Sequence, residues 1–144
     1  MDRAKLLASI RLAEGFSPTP VPDSGGTVEV GYGRNLDTDP LTPAEAEVLL
    51  EGPVDNRIVA VTAALPWFEA ATDARQRALV EMAYQMGTAG LLGFHDLLAA
   101  AANGAWVTAA WNVEHNADGS STKLAIDTPA RAARYAQMLR TGVD

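Results

Sequence analysis

The sequence contains no cysteine, and this absence excludes disulfide bonds, thiolate nucleophiles and zinc sites built on thiolates. Its two histidines, His95 and His115, lie far apart and lack the spacing of a metal-binding pair. No apolar run approaches the roughly 20 residues that a membrane-spanning helix needs, so stable membrane insertion is not expected. These absences together indicate no metal and no cofactor.

Basic residues are also scarce, because 11 Lys and Arg stand against 18 Asp and Glu and leave a net charge of −7. A nucleic-acid interface needs clustered Lys and Arg, so no nucleic-acid partner is expected. The start of the chain has only a short apolar stretch before Arg11, unlike a signal peptide, which predicts synthesis in a cytoplasm. The 144 residues, 48% of them hydrophobic, suffice for one domain with a core, and a monomer is the default.

Most of the chain carries helix signals. The clearest is Thr42-Pro43-Ala44-Glu45, which combines an N-cap, a proline at the first helical position and a capping box. That helix is expected to run toward Leu65, with Gly52-Pro53 kinking or splitting it. Gly87 is the expected end of a helix that begins at Asp73. The remaining helices are predicted over residues 2–13, 90–94, 96–102, 105–114 and 128–142.

Residues 16–35 are the exception, since their prolines and glycines exclude a helix. Thr27 to Tyr32 alternates in character and predicts a strand with Thr27, Glu29 and Gly31 on one face. The expected fold class is therefore α+β, mainly α. It would have a small N-terminal β-hairpin lobe, a larger helical lobe and a cleft between the lobes.

Three acids fall within the sixteen residues 14–29, at different kinds of position. Glu14 ends the first predicted helix, Asp23 lies in a Pro/Gly loop, and Glu29 lies in the strand. Two carboxyls across a cleft are the minimum requirement for breaking a glycosidic bond, because one donates a proton and the other stabilises or activates the attacking group. The pattern alone leaves two interpretations open, a catalytic cluster and ordinary surface acids.

Several motifs in order along the chain resemble those of phage-type lysozymes, the endolysins of glycoside hydrolase family 24. At the front, Glu14-Gly15, then Asp23, then Val30-Gly31-Tyr32-Gly33-Arg34 resembles the catalytic hairpin of that family. The segment 77–94 resembles its central helix and following turn, and 128–142 resembles its C-terminal helix. The resemblance implies a single lysozyme-like domain over 1–144. Its β-containing lobe would span about 14–60, and its helical lobe 1–13 with 61–144.

The resemblance also implies an activity, hydrolysis of the β-1,4 bond between N-acetylmuramic acid and N-acetylglucosamine in peptidoglycan. The family pattern is Glu, eight residues, Asp or Cys, five residues, Thr. Glu14 and Asp23 fit it as general acid and as stabilising or water-activating carboxylate, but Glu29 stands at the Thr position. Glu29 could attack the sugar, activate water or block the site. The alternative is therefore an impaired or inactive peptidoglycan-binding protein.

Further positions are expected to support the substrate or the acid. The resemblance places Arg131 near the general acid. Gln85, Phe94, Gly31 and Tyr32 are candidates for binding or supporting the substrate, with a core position as the alternative for Phe94 and a simple turn as the alternative for Gly31. The three tryptophans, Trp67, Trp106 and Trp111, are expected to pack inside the protein rather than to form sugar platforms. The resemblance further implies an enzyme made in a host cytoplasm that acts on the cell wall after its release.

Overall fold

The structure is a computed structural model that describes residues 1–143. Its contacts divide the chain into two compact units, residues 1–49 and 50–144, which are described in turn. The chain is mainly helical with one small antiparallel sheet, so the predicted α+β, mainly α fold class is confirmed. Within the described residues, no helix has the length and apolarity to cross a bilayer.

The first unit contains helix α1 and the whole sheet. Helix α1 (Arg3–Glu14) begins behind Asp2, whose carboxylate accepts hydrogen bonds from two backbone N–H groups of the first turn. The sheet has the order β1 (Ser17–Pro22), β2 (Val28–Gly31) and β3 (Arg34–Asn35). None of residues 1–49, all of which the structure describes, is fully buried, so polar contacts rather than a core hold this unit.

Strand β1 was not predicted, because its sequence Ser-Pro-Thr-Pro-Val-Pro suggests only a loop. Proline lacks the backbone N–H of a ladder, and it is tolerated at the edge of a sheet or at an irregularity. Strand β1 fulfils both conditions, since it pairs only with β2 and its register shifts between Ser17 and Val21. The prolines therefore restrict the strand to the edge without preventing it.

Helix α2 (Pro43–Ala64) begins at the predicted capping box, where Thr42 and Glu45 exchange hydrogen bonds. Of the two outcomes predicted for Gly52-Pro53, the split was wrong, because Pro53 lies inside one continuous helix, and the kink stays a prediction. A proline inside a helix removes one hydrogen bond, and the rest of a long helix compensates for that loss.

The second unit holds the hydrophobic core. Helix α3 (Asp73–Leu92) is interrupted at Gly87, where a helix end was predicted, because its φ of +80° and ψ of 157° lie outside the helical region. The remaining helices are α4 (His95–Ala102), α5 (Trp106–Glu114), α6 (Lys123–Asp127) and α7 (Pro129–Thr141). The short α6 was not predicted, while α7 ends at Gly142 as expected. The largest fully buried side chains include Leu79, Met82, Leu91, Leu97 and Leu139.

Candidate functional site

Glu14 is the last residue of α1, and its side chain lies against the turn between β2 and β3. Gly15 ends the helix with φ +72°, and its N–H donates to the carbonyl of Arg11 at 3.1 Å. A Cβ placed on Gly33 would lie 3.0 Å from Glu14 Oε2 and 3.4 Å from its Cδ. Only a glycine at position 33 therefore leaves the Glu14 carboxyl where it is, and that carboxyl is exposed to solvent.

Asp23 lies in the turn between β1 and β2, where backbone donors surround its carboxylate. Oδ1 accepts from the N–H groups of Gly25 and Thr27, each at 2.8 Å, and the Asp23 N–H donates to the carbonyl of Thr27 at 2.8 Å. Hydrogen bonds to the charged form lower a carboxyl pKa. The side chain of Thr27, followed by its backbone, holds the pKa of Asp23 below its ordinary value of 3.8, so Asp23 is a carboxylate at neutral pH.

Glu29 lies in the middle strand, opposite Val21 of β1 and Asn35 of β3, and is half-buried. Directly opposed residues of an antiparallel pair project from the same face, and so do alternate residues of one strand. Asn35 and Thr27 thus share the face of Glu29, and the Asn35 amide donates to Thr27 Oγ1 at 3.0 Å. One face of the sheet therefore joins the Asp23 turn to the position of Glu29 through Thr27 and Asn35.

Gly31 and Tyr32 precede Gly33 in the turn between β2 and β3, the turn against which the Glu14 side chain lies. The ring of Tyr32 is 5.4 Å from that of Phe16, with the guanidinium of Arg11 at 5.9 Å from the Tyr32 centroid. Tyr32 is 45% exposed, so its ring is accessible to a ligand. Gly31 has φ +69°, a conformation that other residues rarely adopt.

Arg34 ties the end of the hairpin to the start of α2, a role that sequence reasoning missed. Its guanidinium pairs with Glu45 and Asp39 and donates to the carbonyls of Asp39 and Pro40 at 2.9 and 2.7 Å. The hydrogen bond from Arg34, together with those from Thr42, lowers the pKa of Glu45 to about 2. The capping-box signal at Thr42 located Glu45, but nothing in the sequence paired it with Arg34.

Gln85 and Arg131 both line a cavity of about 890 Å³ in the second unit, which we name the first cavity. The Gln85 amide donates to Thr128 Oγ1 at 3.2 Å and accepts from the Tyr135 hydroxyl at 3.4 Å, so both of its ends are fixed. Burial raises the pKa of Tyr135, and the negative charge of Glu81 adds to that effect. Phe94 is half-buried against the core and lines a different cavity.

Two of the three tryptophans pack as expected. Trp67 and Trp106 meet edge to face with centroids 5.9 Å apart, and the guanidinium of Arg75 lies 4.3 Å from the Trp106 centroid. The expectation for Trp111 was wrong, because its side chain is 45% exposed and stacks on His115 instead. In the part of the chain that the structure describes, no group of three His, Asp or Glu side chains could hold a metal ion.

The family model described as Phage lysozyme matches residues 11–126. The matched region contains Glu14, Asp23, Glu29, Gln85 and Phe94, whereas Arg131 lies beyond it. No curated protein matches the sequence.

Proposed function

This chain belongs to the phage lysozyme family, and from that premise we propose that it hydrolyses the β-1,4 bond between N-acetylmuramic acid and N-acetylglucosamine. Membership implies in general a glycoside hydrolase that acts on bacterial peptidoglycan. The observation that carries the specific proposal is the hairpin, which holds Glu14 over Gly33 and Asp23 in a turn of backbone donors. Lysis of the host cell wall by a monomeric enzyme is the biological role that we infer.

Glu14 is the proposed general acid and Asp23 the proposed second carboxylate. A glycosidase needs one carboxyl that donates a proton to the leaving oxygen and one that remains ionised beside the positive sugar centre. The lowered pKa of Asp23 supports the second role, because that carboxylate stays charged throughout the neutral range. Exposure of Glu14 to solvent supports access of a substrate to the acid.

Glu29 determines the stereochemical outcome in this proposal. A carboxylate at this position could attack the sugar carbon and form a covalent intermediate, which gives retention. It could instead activate the attacking water, which gives inversion. Glu29 is half-buried between Val21 and Asn35 on the face that Thr27 shares, a placement that supports a role in either reaction.

A second candidate function follows from the same residue. Glu29 is longer than the family Thr and charged, so it could fill the place of the attacking water without replacing its chemistry. The protein would then bind peptidoglycan without cleaving it.

The supporting residues complete the proposal. Gln85 and Arg131 would contact the substrate or orient the acid, while Gly31, Tyr32 and Phe94 would shape the binding surface. Gln85 is held at both ends of its amide, which gives the side chain a fixed orientation.

The test compares the wild type with Glu14→Gln and Glu29→Thr on purified peptidoglycan, following reducing ends and anomeric configuration. We expect activity in the wild type and its loss in Glu14→Gln. Retention of configuration that depends on Glu29 would identify it as the nucleophile. An inactive wild type with an active Glu29→Thr would establish the second candidate, and unchanged lysis by Glu14→Gln would refute the assignment of the acid.

A further inference from the structure

Three half-buried polar side chains are connected at the start of the sheet, those of Asp23, Thr27 and Asn35. The residues between Asp23 and Thr27 are exposed, so these three side chains are less accessible to water than the turn beside them. Polar groups that are withdrawn from water are generally paired. The hydrogen bonds of Asn35 therefore bear on the carboxylate of Asp23, which the proposed chemistry uses.

The amide oxygen of Asn35 is committed to the loop that follows β3. It accepts from the backbone N–H groups of Asp37 at 3.0 Å and of Thr38 at 3.1 Å. A backbone N–H only donates, so the atom that faces it is the oxygen, and the other end of the amide is the NH₂ group. The loop after β3 thus fixes the orientation of the Asn35 side chain.

The NH₂ group of Asn35 determines the direction in which the Thr27 hydroxyl donates. Asn35 Nδ2 lies 3.0 Å from Thr27 Oγ1, and an NH₂ group does not accept, so the Thr27 oxygen accepts this hydrogen bond. A hydroxyl has a single O–H donor, which is left for another partner. The Thr27 side chain is hydrogen-bonded to Asp23, and a carboxylate only accepts, so the Thr27 proton points to Asp23.

The backbone around Thr27 is held by the same turn and the same loop. The Thr27 N–H donates to Asp23 Oδ1, and the Thr27 carbonyl accepts from the Asp23 N–H, each at 2.8 Å. The next residue, Val28, accepts from the Leu36 N–H at 2.8 Å and donates to Asp37 Oδ2 at 3.0 Å. The loop after β3 therefore holds both the side chain and the backbone of the segment that contacts Asp23.

Hydrogen bonds, and not an ion pair, set the state of Asp23. They lower its pKa, the Thr27 side chain first, and burial opposes them. Of the charged groups on neighbouring elements, Glu29 lies on the same face of β2, and Asp37 accepts a backbone N–H at the start of β2. Arg34 projects from the opposite face of β3 and pairs with the start of α2, and β1 carries no charged residue.

We propose that Asn35 is a positioning residue of the candidate site, which holds the Thr27 hydroxyl on Asp23 and so orients that carboxylate for the reaction. The assignment rests on the proposed function, in which Asp23 is the second carboxylate. Asn35 acts through Thr27 and needs no contact with the substrate. Its loss therefore lowers kcat by misdirecting Asp23 and leaves KM unchanged.

The test is an NMR titration of the Asp23 carboxyl in the full chain carrying Asn35→Asp. This variant keeps an oxygen for the N–H groups of the loop, but its carboxylate competes with Asp23 for the Thr27 proton. We expect the pKa of Asp23 to rise from its lowered value. In a Thr27→Val background no hydroxyl remains to be redirected, so the same substitution should raise that pKa less, by the effect of the added charge alone.

Two further variants complete the experiment. The matched control is Asn103→Asp, at an exposed amide of the second unit that donates to the carbonyl of Ala99. It adds the same charge and should leave the pKa of Asp23 unchanged. Asn35→Leu removes the donor without adding a charge. It should also raise the pKa of Asp23, and it should lower kcat for peptidoglycan about fivefold at unchanged KM, the effect of losing one neutral hydrogen bond.

Two results would overturn the proposal. One is an equal rise in the pKa of Asp23 with and without the Thr27 hydroxyl, which would show that only the added charge acts. The other is a wild-type kcat in Asn35→Leu, or a loss confined to KM, which would make Asn35 a substrate contact instead. The NMR titration needs no turnover, so it decides the role of Asn35 even if the wild type fails to hydrolyse peptidoglycan, the result that counts against the proposed function.

Discussion

Replacing Gly33 by alanine tests directly whether the hairpin turn sets the position of the general acid. The new Cβ would lie 3.0 Å from Glu14 Oε2, so the carboxyl must move by about 0.4 Å to reach an ordinary contact. A misplacement of about 1 Å at a reacting group can cost about 100-fold in rate, so we expect a loss of about 10- to 100-fold in kcat/KM. The assay is the initial rate of peptidoglycan hydrolysis.

Gly33→Ala also strains the backbone, and that effect must be separated from the displacement of Glu14. The φ of Gly33 is +75°, where an L-residue costs about 1–2 kcal/mol. Gly104 has φ +72° and nothing within 4 Å of an added Cβ, so Gly104→Ala imposes the same strain far from the hairpin in sequence. Both variants should lose similar free energy of unfolding, while Gly33→Ala alone loses activity. Equal activity of the two variants at a temperature where both are folded would refute the reasoning.

Three further predictions concern single contacts. Thr27→Val removes the largest cause of the lowered pKa of Asp23, so the acid limb of the pH–activity profile should move toward higher pH, and an unmoved limb would contradict it. The stabilisation by the Arg34–Glu45 pair should be present above about pH 4.5 and fall as pH approaches about 2. The difference in free energy of unfolding between the wild type and Arg34→Met, measured by thermal unfolding, should therefore shrink over that range. Leu79→Ala, in the fully buried core, should cost about 2–5 kcal/mol in denaturant unfolding, and a loss below about 1 kcal/mol would contradict the packing described.

The sequence predicted those elements whose signals are local. The capping box at Thr42, the helix-interrupting glycine at position 87 and the Thr-Pro start of α7 each act within one turn of helix, and each is found where expected. Strand β1 was not predicted and a split of α2 was allowed, because the effect of a proline was judged only from the backbone hydrogen bond that it removes locally. In β1 that effect depends on the edge position, which is a property of the sheet.

For the candidate site too, the sequence predicts local features but not those that depend on strand pairing. The spacing of Glu14, Asp23 and Glu29 is visible in the sequence, and the alternation of residues predicts that Thr27 and Glu29 share one face. The hydrogen bond from Asn35 to Thr27 depends on the register of β2 with β3, which no spacing specifies. The exposure of Trp111 likewise depends on which side of α5 meets the core, and a helix with apolar residues on several sides leaves that open.

The way in which the first unit is held has a consequence for function. It is held by turn hydrogen bonds around Asp23, a capping box and the Arg34–Glu45 pair, whereas the second unit has a core of fully buried side chains. Exposed polar contacts weaken with acid, but apolar burial does not titrate. Regions with few buried contacts also open at lower free energy. We therefore expect the amides of β2 to exchange faster than those of α3 and to lose protection first as pH falls from 4.5 to about 2, the interval between the ordinary pKa of Glu45 and its lowered value. Simultaneous loss of protection in β2 and α3 would show that the hairpin draws its stability from the core instead.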